Sequence, residues 1–406
     1  MSQDNNGHYP VVKLRRGKEE SLLRFHPWVF SGALDSVPDT VEEGDTVKVV
    51  ASDGTPLGVG HYQIGSIAVR MLTGTADPDA VIDTRFYAMR LEQAWLMRKA
   101  LGLIRPGNDA FRLVHGEGDF LPGLVVDVYG DTAVMQAHSP AMHLARRSIA
   151  EALITLPGCG IANVYYKSET TLPFKAGMDP VNDYIIGSYS GNIATENGLK
   201  YHIDWLKGQK TGFFVDQRDN RALLRSLCAG RRVLNMFCYT GGFSVNALAG
   251  GASEVVSVDS SAKAVSLTDA NVALNFGDAG AGGRHSSVAI DAFDYLATLD
   301  EGAFDLIVLD PPAFAKHRGA IRNALRGYQR LNERGFRKIA SGGILFTFSC
   351  SQAITKEQFR LAVFSAAAAT GRRVRILHQL TQPADHPVNI YHPEGEYLKG
   401  LVLYVE

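Results

Sequence analysis

The sequence reads Val233-Leu234-Asn235-Met236-Phe237-Cys238-Tyr239-Thr240-Gly241-Gly242-Phe243-Ser244 where an apolar run meets a glycine turn. The run predicts a β-strand, and the glycine pair predicts a tight turn that opens a helix. Backbone N–H groups at such a turn can hold an anionic or zwitterionic ligand. The turn lacks the three spaced glycines of a nicotinamide or flavin fingerprint and the Gly-Lys-Ser/Thr of a P-loop, which argues against dinucleotides and ATP.

Strand-like and helix-like segments alternate regularly from about residue 198 to the end of the chain. The strands are predicted at residues 233–237, 254–259, 287–291, 304–310, 343–349, 374–380 and 401–405, with helices that include 261–276, 321–340 and 356–369. This alternation predicts an α/β domain with a mostly parallel, seven-stranded sheet that is covered by helices on both faces.

Three of the predicted strands end in an aspartate, at Asp259, Asp291 and Asp310. Because open α/β sheets bind ligands at the carboxyl ends of their strands, we expect these side chains to surround one ligand. Asp259 follows Gly241 by 18 residues, which suits an acid that accepts hydrogen bonds from ribose hydroxyls. Ala289-Ile290-Asp291-Ala292-Phe293 would meet an adenine. Together these features favour S-adenosylmethionine; the alternative is a plain turn with capped strand ends.

The first 80 residues consist of short β segments separated by glycine turns, which predicts a small β-barrel. Basic residues outnumber acidic ones next to the aromatic stretch at 26–30, and Lys13, Arg15 and Arg16 are therefore predicted to contact RNA. Residues 81–195 combine a long helical run with short strands and are predicted to form an α+β middle domain. The α/β domain then occupies residues 196–406.

Basic residues recur at every fourth position along the helix that is predicted after Asp310. Because an α-helix repeats every 3.6 residues, steps of four form one slowly drifting stripe. A stripe of one sign is expected to contact the phosphates of a polyanion, whereas a solvated helix face is the alternative. The predicted RNA contacts in this region are Lys316, Arg318, Arg322, Arg326 and Arg330.

Two motifs resemble those of the bacterial 23S ribosomal RNA cytosine carbon-5 methyltransferases, namely Asp310-Pro311-Pro312-Ala313-Phe314 and Thr347-Phe348-Ser349-Cys350-Ser351. Residues 26–32, 210–221 and 386–400 are similar to further segments of that family, so the resemblance covers nearly the whole chain. It implies a class I methyltransferase with a Rossmann-like sheet at 196–406 and a PUA-like RNA-binding domain at 1–80. It also implies S-adenosylmethionine as the cofactor and 23S ribosomal RNA as the partner.

The chemistry of carbon 5 explains why a cysteine is expected in the site. This carbon of a cytosine is not nucleophilic until a group adds to carbon 6, and a thiolate does this well. An ordinary thiol, with a pKa near 8.5, is mostly protonated at neutral pH, so a neighbouring cation has to assist it. The resemblance implies that Cys350 attacks carbon 6 and that Asp310 engages the cytosine ring. Pro312 stands where some related enzymes carry a second cysteine, so the base that removes the carbon-5 proton is not identified.

The cofactor site is predicted to form around the glycine turn and the strand-end acids. The resemblance adds Gln217 and Arg218 as candidate partners of the methionine carboxylate. The predicted cofactor-binding residues are Gln217, Arg218, Phe237, Tyr239, Thr240, Gly241, Gly242, Asp259, Ser260, Asp291, Ala292 and Asp310.

Composition sets further bounds on function. The net charge of -1 rules out an argument for a polyanion partner from overall charge alone. Four scattered cysteines predict neither a disulfide framework nor a zinc site, and no export signal or membrane span is indicated, so we expect a cytoplasmic protein without a metal, possible as a homodimer. Three alternatives remain: methylation of a guanine or adenine nitrogen in RNA, an idle RNA-binding protein, and a small-molecule methyltransferase.

Overall fold

The computed structural model describes residues 9–172, 178, 181–277, 280–315 and 318–406. Tertiary contacts divide the chain into two compact units. The first unit comprises Met1–Ala194, Ile203–Val215 and Ala384–Gly395, and the second comprises Thr195–His202, Asp216–Pro383 and Glu396–Glu406. This division into two units does not test the predicted three-domain boundaries at residues 80 and 195, which stay a prediction. Two segments from the later part of the sequence, residues 203–215 and 384–395, belong to the first unit.

The N-terminal part of the first unit is a curled β-sheet. Among the described residues its elements are β1 (Val11–Leu14), α1 (Glu20–Leu23), β2 (Trp28–Phe30), β3 (Leu34–Ser36), β4 (Thr46–Val50), β5 (Pro56–Tyr62) and β6 (Ile67–Met71). The strand order is β2-β6-β5-β4-β1-β3. Only the short turn Ser31–Ala33 separates β2 from β3, although they lie at opposite ends of this order, so the sheet has to curl until its ends come close. This curling agrees with the predicted β-barrel.

The rest of the first unit is a second sheet that packs against helices. Its elements in the described part of the chain are α2 (Thr84–Ala100), β7 (Ala110–His115), β8 (Leu124–Tyr129), β9 (Thr132–Ala137), α3 (Pro140–Leu144), α4 (Arg146–Ile154), β10 (Asn163–Lys167) and β11 (Asn182–Ile186). The strand order is β11-β10-β9-β8-β7. Asp83 and Ser139 cap the first turns of α2 and α3 with their side chains. Apolar faces of α2 and α4 cover one side of this sheet and bury Leu91, Trp95 and Leu153.

Buried ion pairs connect distant parts of the first unit. The Arg98 guanidinium forms a bidentate pair with Asp119 and also donates to the backbone oxygen of Asp385, at 2.7 Å. Asp127 accepts two hydrogen bonds of 2.8 Å from Arg112 and one of 2.6 Å from the Thr211 hydroxyl. The segments 203–215 and 384–395 therefore complete the polar interior of this unit, since buried charges need such partners.

The second unit contains the predicted α/β sheet. The strands from this part of the chain, among the described residues, are β12 (Ile193–Glu196), whose last two residues belong to the second unit, β13 (Leu199–His202), β14 (Arg232–Met236), β15 (Glu254–Asp259), β16 (His285–Ala289), β17 (Phe304–Leu309), β18 (Ile339–Ser349), β19 (Val374–Leu380) and β20 (Lys399–Val405). β12 and β13 form a hairpin, and the main sheet has the order β16-β15-β14-β17-β18-β20-β19. The pairs from β16 to β18 are parallel, whereas β20 runs antiparallel to both of its neighbours.

Helices cover this sheet as the alternation predicted. They are α5 (Arg218–Ser226), α6 (Gly242–Ala249), α7 (Ala262–Phe276), α8 (Gly280–Gly283), α9 (Ala292–Thr298), α10 (Ile321–Lys338) and α11 (Lys356–Thr370) among the described residues. The predicted α/β class is confirmed, but several element boundaries differ from the prediction by one to four residues. β16 ends at Ala289 because Asp291 caps α9, and β18 begins at Ile339, a residue that the prediction gave to the helix.

Candidate active site

The glycine turn after β14 adopts an unusual backbone conformation. Phe237 (φ 59°), Tyr239 (φ 47°) and Gly241 (φ 77°) all lie in the left-handed region, which is costly for residues with a side chain. Gly241 precedes α6, and a Cβ atom at this position would lie 2.6 Å from Cγ2 of Thr268. Strained residues of this kind cluster at binding sites. The left-handed backbone and the close approach of Thr268 therefore require glycine at position 241.

Asp259 links the end of β15 to this turn. Its carboxylate accepts a hydrogen bond of 3.0 Å from the Tyr239 backbone N–H and another of 2.9 Å from Ser261. A carboxylate has about four acceptor positions, so Asp259 keeps capacity for ribose hydroxyls. The neighbouring predicted residues differ in exposure, since Ser260 is exposed and Thr240 is buried.

Asp291 lies elsewhere than predicted. It stands two residues beyond β16 and is the N-cap of α9, where its carboxylate accepts the N–H of Phe293 at 2.8 Å. Ala292 follows as the first, buried residue of the helix. The end of β16 still lies beside the end of β15 in the sheet, because Asp259 pairs with Ala289.

Asp310 follows β17 directly and is held by a buried amide. Gln217 Nε2 donates a hydrogen bond of 3.0 Å to Asp310 Oδ2, and Asn220 Nδ2 donates one of 2.6 Å to Gln217 Oε1. Arg218 begins α5 and is almost fully buried, with its Nε 3.6 Å from the Asp219 carboxylate. The structure thus brings Gln217 and Asp310 together, a contact that sequence reasoning did not foresee.

Cys350 lies at the end of the strand next to Asp310, as predicted. β17 and β18 are parallel neighbours in which Leu309 pairs with Thr347. Cys350 is partly buried, whereas the thiols of Cys159, Cys228 and Cys238 each have a pKa raised to about 12, chiefly by burial. These three cysteines are therefore poor nucleophiles.

The serines on both sides of Cys350 fix the backbone that carries it. The Ser349 hydroxyl donates to the buried Tyr328 hydroxyl at 2.9 Å, and the Ser351 hydroxyl donates to the backbone oxygen of Ala315 at 2.5 Å. Both serines are buried. The position of the thiol therefore depends on packing against α10 and on the segment that follows Asp310.

Lys399 is a residue of this site to which sequence reasoning gave no role. It pairs with Ser349 across the antiparallel strands β18 and β20, and its Nζ donates a hydrogen bond of 2.6 Å to the backbone oxygen of Ser351. Burial lowers the pKa of Lys399 to about 8, and the charge of Cys350 acts in the opposite direction. The sequence feature that could have indicated this role is a lysine at the first position of a strand that is otherwise mostly apolar.

The basic stripe of α10 is only partly available to a ligand. Arg334 donates to the backbone oxygen of Phe293 at 2.6 Å, and Lys338 donates to that of Leu299. Arg322, Arg326 and Arg330 are exposed, and their guanidinium groups make no ion pair or hydrogen bond within the described ranges. Lys316 and the side chain of Arg318 lie outside the described residues.

The basic residues of the N-terminal sheet are partly exposed. Arg15 and Arg16 are exposed, and Lys13 is half-buried. Of the neighbouring aromatic side chains, Phe30 is exposed, whereas the Trp28 indole N–H donates to Glu117 at 2.8 Å. The predicted RNA-facing surface of this sheet thus contains exposed cations and the exposed rings of Phe25 and Phe30.

A family model for S-adenosylmethionine-dependent methyltransferases matches residues 132–393. The chain belongs to this family. Its cofactor is S-adenosylmethionine, and the left-handed glycine turn, the α6 N-terminus and Asp259 together fit an adenosine-bearing zwitterion. A second family model, for a PUA-like domain, matches residues 12–74 of the methyltransferase and confirms the predicted type of the N-terminal domain.

Curated relatives match the methyltransferase over almost its full length. Ribosomal RNA large subunit methyltransferase I of Escherichia coli O139:H28 is 40% identical over 397 residues, which are 97% of this chain and 98% of the relative. The protein of the same name from Tolumonas auensis is 41% identical over 399 residues, with the same shares covered.

Solved structures share the fold of the methyltransferase. A Streptococcus mutans protein assigned as a SAM-dependent methyltransferase matches with a TM-score of 0.81 at 22% identity, over 98% of this chain and 100% of the other. A second structure, of a protein assigned as a methyltransferase and bound to SAH, matches with a TM-score of 0.80 at 24% identity. The match covers 98% of this chain and 99% of the other.

Among the residues that the structure describes, no group of His, Cys, Asp and Glu side chains could hold a metal ion. In the same residues, no helix is both long and apolar enough to cross a membrane.

Proposed function

We propose that the methyltransferase modifies carbon 5 of a cytosine in 23S ribosomal RNA and that Cys350 forms a covalent adduct with the base. The observation that carries the proposal is the placement of Cys350 and Asp310 after the neighbouring parallel strands β18 and β17. Relatives that are 40% identical over nearly the whole chain bear the name of large-subunit ribosomal RNA methyltransferases, which supports ribosomal RNA as the substrate. Such a substrate would place the reaction in the cytoplasm.

The cofactor would lie at the carboxyl ends of β14, β15 and β16. The Gly241 N–H donates to the backbone oxygen of Cys238 within the turn, so the Gly242 N–H and the cation of Arg218 would hold the methionine part. Asp259 would hold the ribose. The bound cofactor supplies an electrophilic methyl group on a sulfonium sulfur. The Phe237, Tyr239, Asp291 and Ala292 positions surround the same edge of the sheet and would shape the adenine pocket.

The protein's own groups would prepare the base for methylation. The Cys350 thiolate forms a bond from Sγ to carbon 6, and the displaced electron pair makes carbon 5 nucleophilic. Asp310, oriented by Gln217, engages the edge of the cytosine ring. After carbon 5 has been methylated it loses its proton, the electrons of that C–H bond restore the ring double bond, and Sγ leaves carbon 6 as a thiolate. The base has to leave its stack to reach these groups.

Exposed cations on both units would hold the RNA backbone. Arg322, Arg326 and Arg330 on α10 follow Asp310 in the chain, and Arg15 and Arg16 lie on the PUA-like domain. Arginine contacts with backbone phosphates position an RNA substrate without selecting its sequence.

The experiment compares ribosomal RNA from cells that carry the intact gene, the deleted gene, Cys350→Ala or Cys238→Ala. Mass spectrometry of nuclease fragments should show a cytosine methyl group that disappears with the deletion and with Cys350→Ala but remains with Cys238→Ala. RNA that contains 5-fluorocytosine should trap the intact protein covalently, because fluorine cannot leave carbon 5 as a proton does. Loss of a purine methyl group, or full activity of Cys350→Ala, would contradict the proposal and indicate methylation of a nitrogen.

A further inference from the structure

We infer that Lys399 is a positioning residue whose ammonium group keeps Cys350 in the thiolate form and so prepares it for attack on carbon 6. This inference rests on the proposed function, in which Cys350 is the nucleophile. It assigns the neighbouring cation that a thiol of ordinary acidity needs.

The geometry of two strand ends brings the ammonium group of Lys399 to the segment that carries the thiol. Lys399 is the first residue of β20 and pairs with Ser349, the last residue of β18. Its Nζ reaches the backbone oxygen of Ser351 at 2.6 Å, so the side chain extends from the level of Ser349 to that of Ser351. Cys350 is the residue between these two. The hydrogen bond to Ser351 thus holds the cation against the backbone segment that carries the nucleophile.

The environment of Lys399 makes its charge effective. Its side chain is buried, with 6% of the residue exposed, and a charge in such a place is screened little by water. Burial opposes the ammonium form and lowers its pKa to about 8, while the negative charge of Cys350 favours the ammonium form. Because the interaction is reciprocal, the ammonium group favours the thiolate by the same amount. The ammonium group and the thiolate therefore stabilise each other.

Other ionisable groups face this pair from the neighbouring elements. Tyr328 of α10 has a pKa raised to about 12 by burial and stays neutral. Asp310 adds a negative charge after β17 and is bound by Gln217. Glu396 forms an ion pair with Lys356 at the start of α11. Among these groups Lys399 is the buried cation, which distinguishes it from the half-exposed Lys356.

The proton balance of the reaction is consistent with this role. The thiol proton leaves to solvent, because Lys399, with a pKa of about 8, already holds its ammonium proton at neutral pH. When Sγ bonds to carbon 6, the negative charge moves from sulfur to the pyrimidine ring, and Lys399 retains its proton. When Sγ leaves carbon 6, it leaves as a thiolate beside the same ammonium group. Lys399 is therefore unchanged over one turnover.

The test measures the alkylation rate of Cys350 by iodoacetamide as a function of pH, in the full-length protein without RNA, by mass spectrometry of its peptides. In the intact protein the half-maximal rate should occur about one pH unit or more below that of Lys399→Met, which is about a tenfold difference in rate at pH 7. Lys356→Met is the matched control and should leave the profile unchanged, and Lys399→Arg should restore most of the reactivity.

The outcomes separate this inference from the proposed function. An unchanged alkylation profile in Lys399→Met overturns the inference alone, whereas full methyl transfer by Cys350→Ala overturns the proposed function. The buried thiols of Cys228 and Cys238 report on folding, because they react rapidly only if a variant unfolds. If Lys399→Met unfolds, the intact protein provides the test. The pH of half-maximal alkylation of Cys350 should be lower in the folded protein than in the protein unfolded in urea. A higher pH in the folded protein overturns the inference.

Discussion

The side-chain amide of Gln217 donates a hydrogen bond of 3.0 Å to the carboxylate of Asp310. Gln217 is buried, and Asn220 donates to its amide oxygen at 2.6 Å, which fixes the direction of the amide. Asn220, Gln217 and Asp310 therefore form a chain of hydrogen bonds that leads from the start of α5 to the end of β17. This chain sets the orientation of a carboxylate to which we assign a role in base recognition.

Replacing Gln217 by leucine should lower methyl transfer about tenfold, because one hydrogen bond to a charged group is lost. The rate of methyl transfer to ribosomal RNA, measured with saturating cofactor, checks this expectation. Gln379→Leu is the matched control, since Gln379 is exposed on the edge strand β19. Equal rates for the two variants would show that Asp310 does not depend on Gln217.

Replacing Gly241 by alanine should weaken cofactor binding by roughly 30-fold, because the left-handed backbone costs about 1–2 kcal/mol in an alanine and its Cβ atom would meet Thr268. Calorimetric titration with S-adenosylmethionine measures the change. Gly371→Ala is the control, since Gly371 is also left-handed but has open space around its Cβ position. That variant should lose stability and keep its affinity; an unaffected Gly241→Ala would remove the turn from the cofactor site.

Replacing Arg322, Arg326 and Arg330 together by alanine should reduce the salt dependence of RNA binding. Each lost phosphate contact reduces the magnitude of the slope of log affinity against log salt by about 0.7–0.9, so the slope of the triple variant should be smaller by about 2–3. Fluorescence anisotropy between low and moderate salt gives the slope. Arg337→Ala is the control on the same helix, because Arg337 is already paired with Glu333 at 2.9 Å. An unchanged slope in the triple variant would show that these arginines face solvent and do not contact RNA phosphates.

Acid should weaken the PUA-like domain through His61, which is buried on β5. Burial lowers the pKa of His61 to about 4 in the folded protein, against 6.5 when it is exposed. Below pH 6.5 the unfolded chain gains a proton that the folded chain lacks, so stability falls as the pH drops from 6.5 to 4, by about 3 kcal/mol in total. Hydrogen exchange of β5 at pH 7 and pH 5 measures this fall.

The variant His61→Gln should show a smaller difference in β5 protection between the two pH values. His378→Gln, which changes an exposed histidine of β19, should keep the full difference. If the pH dependence survives in His61→Gln, another group controls the acid stability of this domain.

The sequence was sufficient for the sheet and for the positions of Asp259 and Asp310. Apolar runs fixed β15 and β19 to the residue, and Cys350 was placed correctly beside Asp310, because parallel strands in such a sheet follow a regular order. Asp291 was misplaced because an aspartate after a strand and an aspartate that caps the next helix look the same in sequence.

Contacts between distant segments were beyond sequence reasoning. The pairing of Lys399 with Ser349 depends on the antiparallel insertion of β20, which no local pattern shows. The buried pair of Arg221 and Glu196 likewise joins residues whose charges alone predict exposure. The Gln217 to Asp310 bond spans 93 residues and needs the folded sheet to exist.

The course of the chain limits how this protein can be divided or recombined. Thr211 and Asp385 belong in sequence to the α/β half, yet they complete the buried charges around Asp127 and Arg98 in the first unit. A fragment that stops at residue 194 would lack both partners. Hybrids between relatives should therefore fold only when residues 1–194, 203–215 and 384–395 are exchanged together. Recombination within the gene would then have to keep these three segments from the same parent.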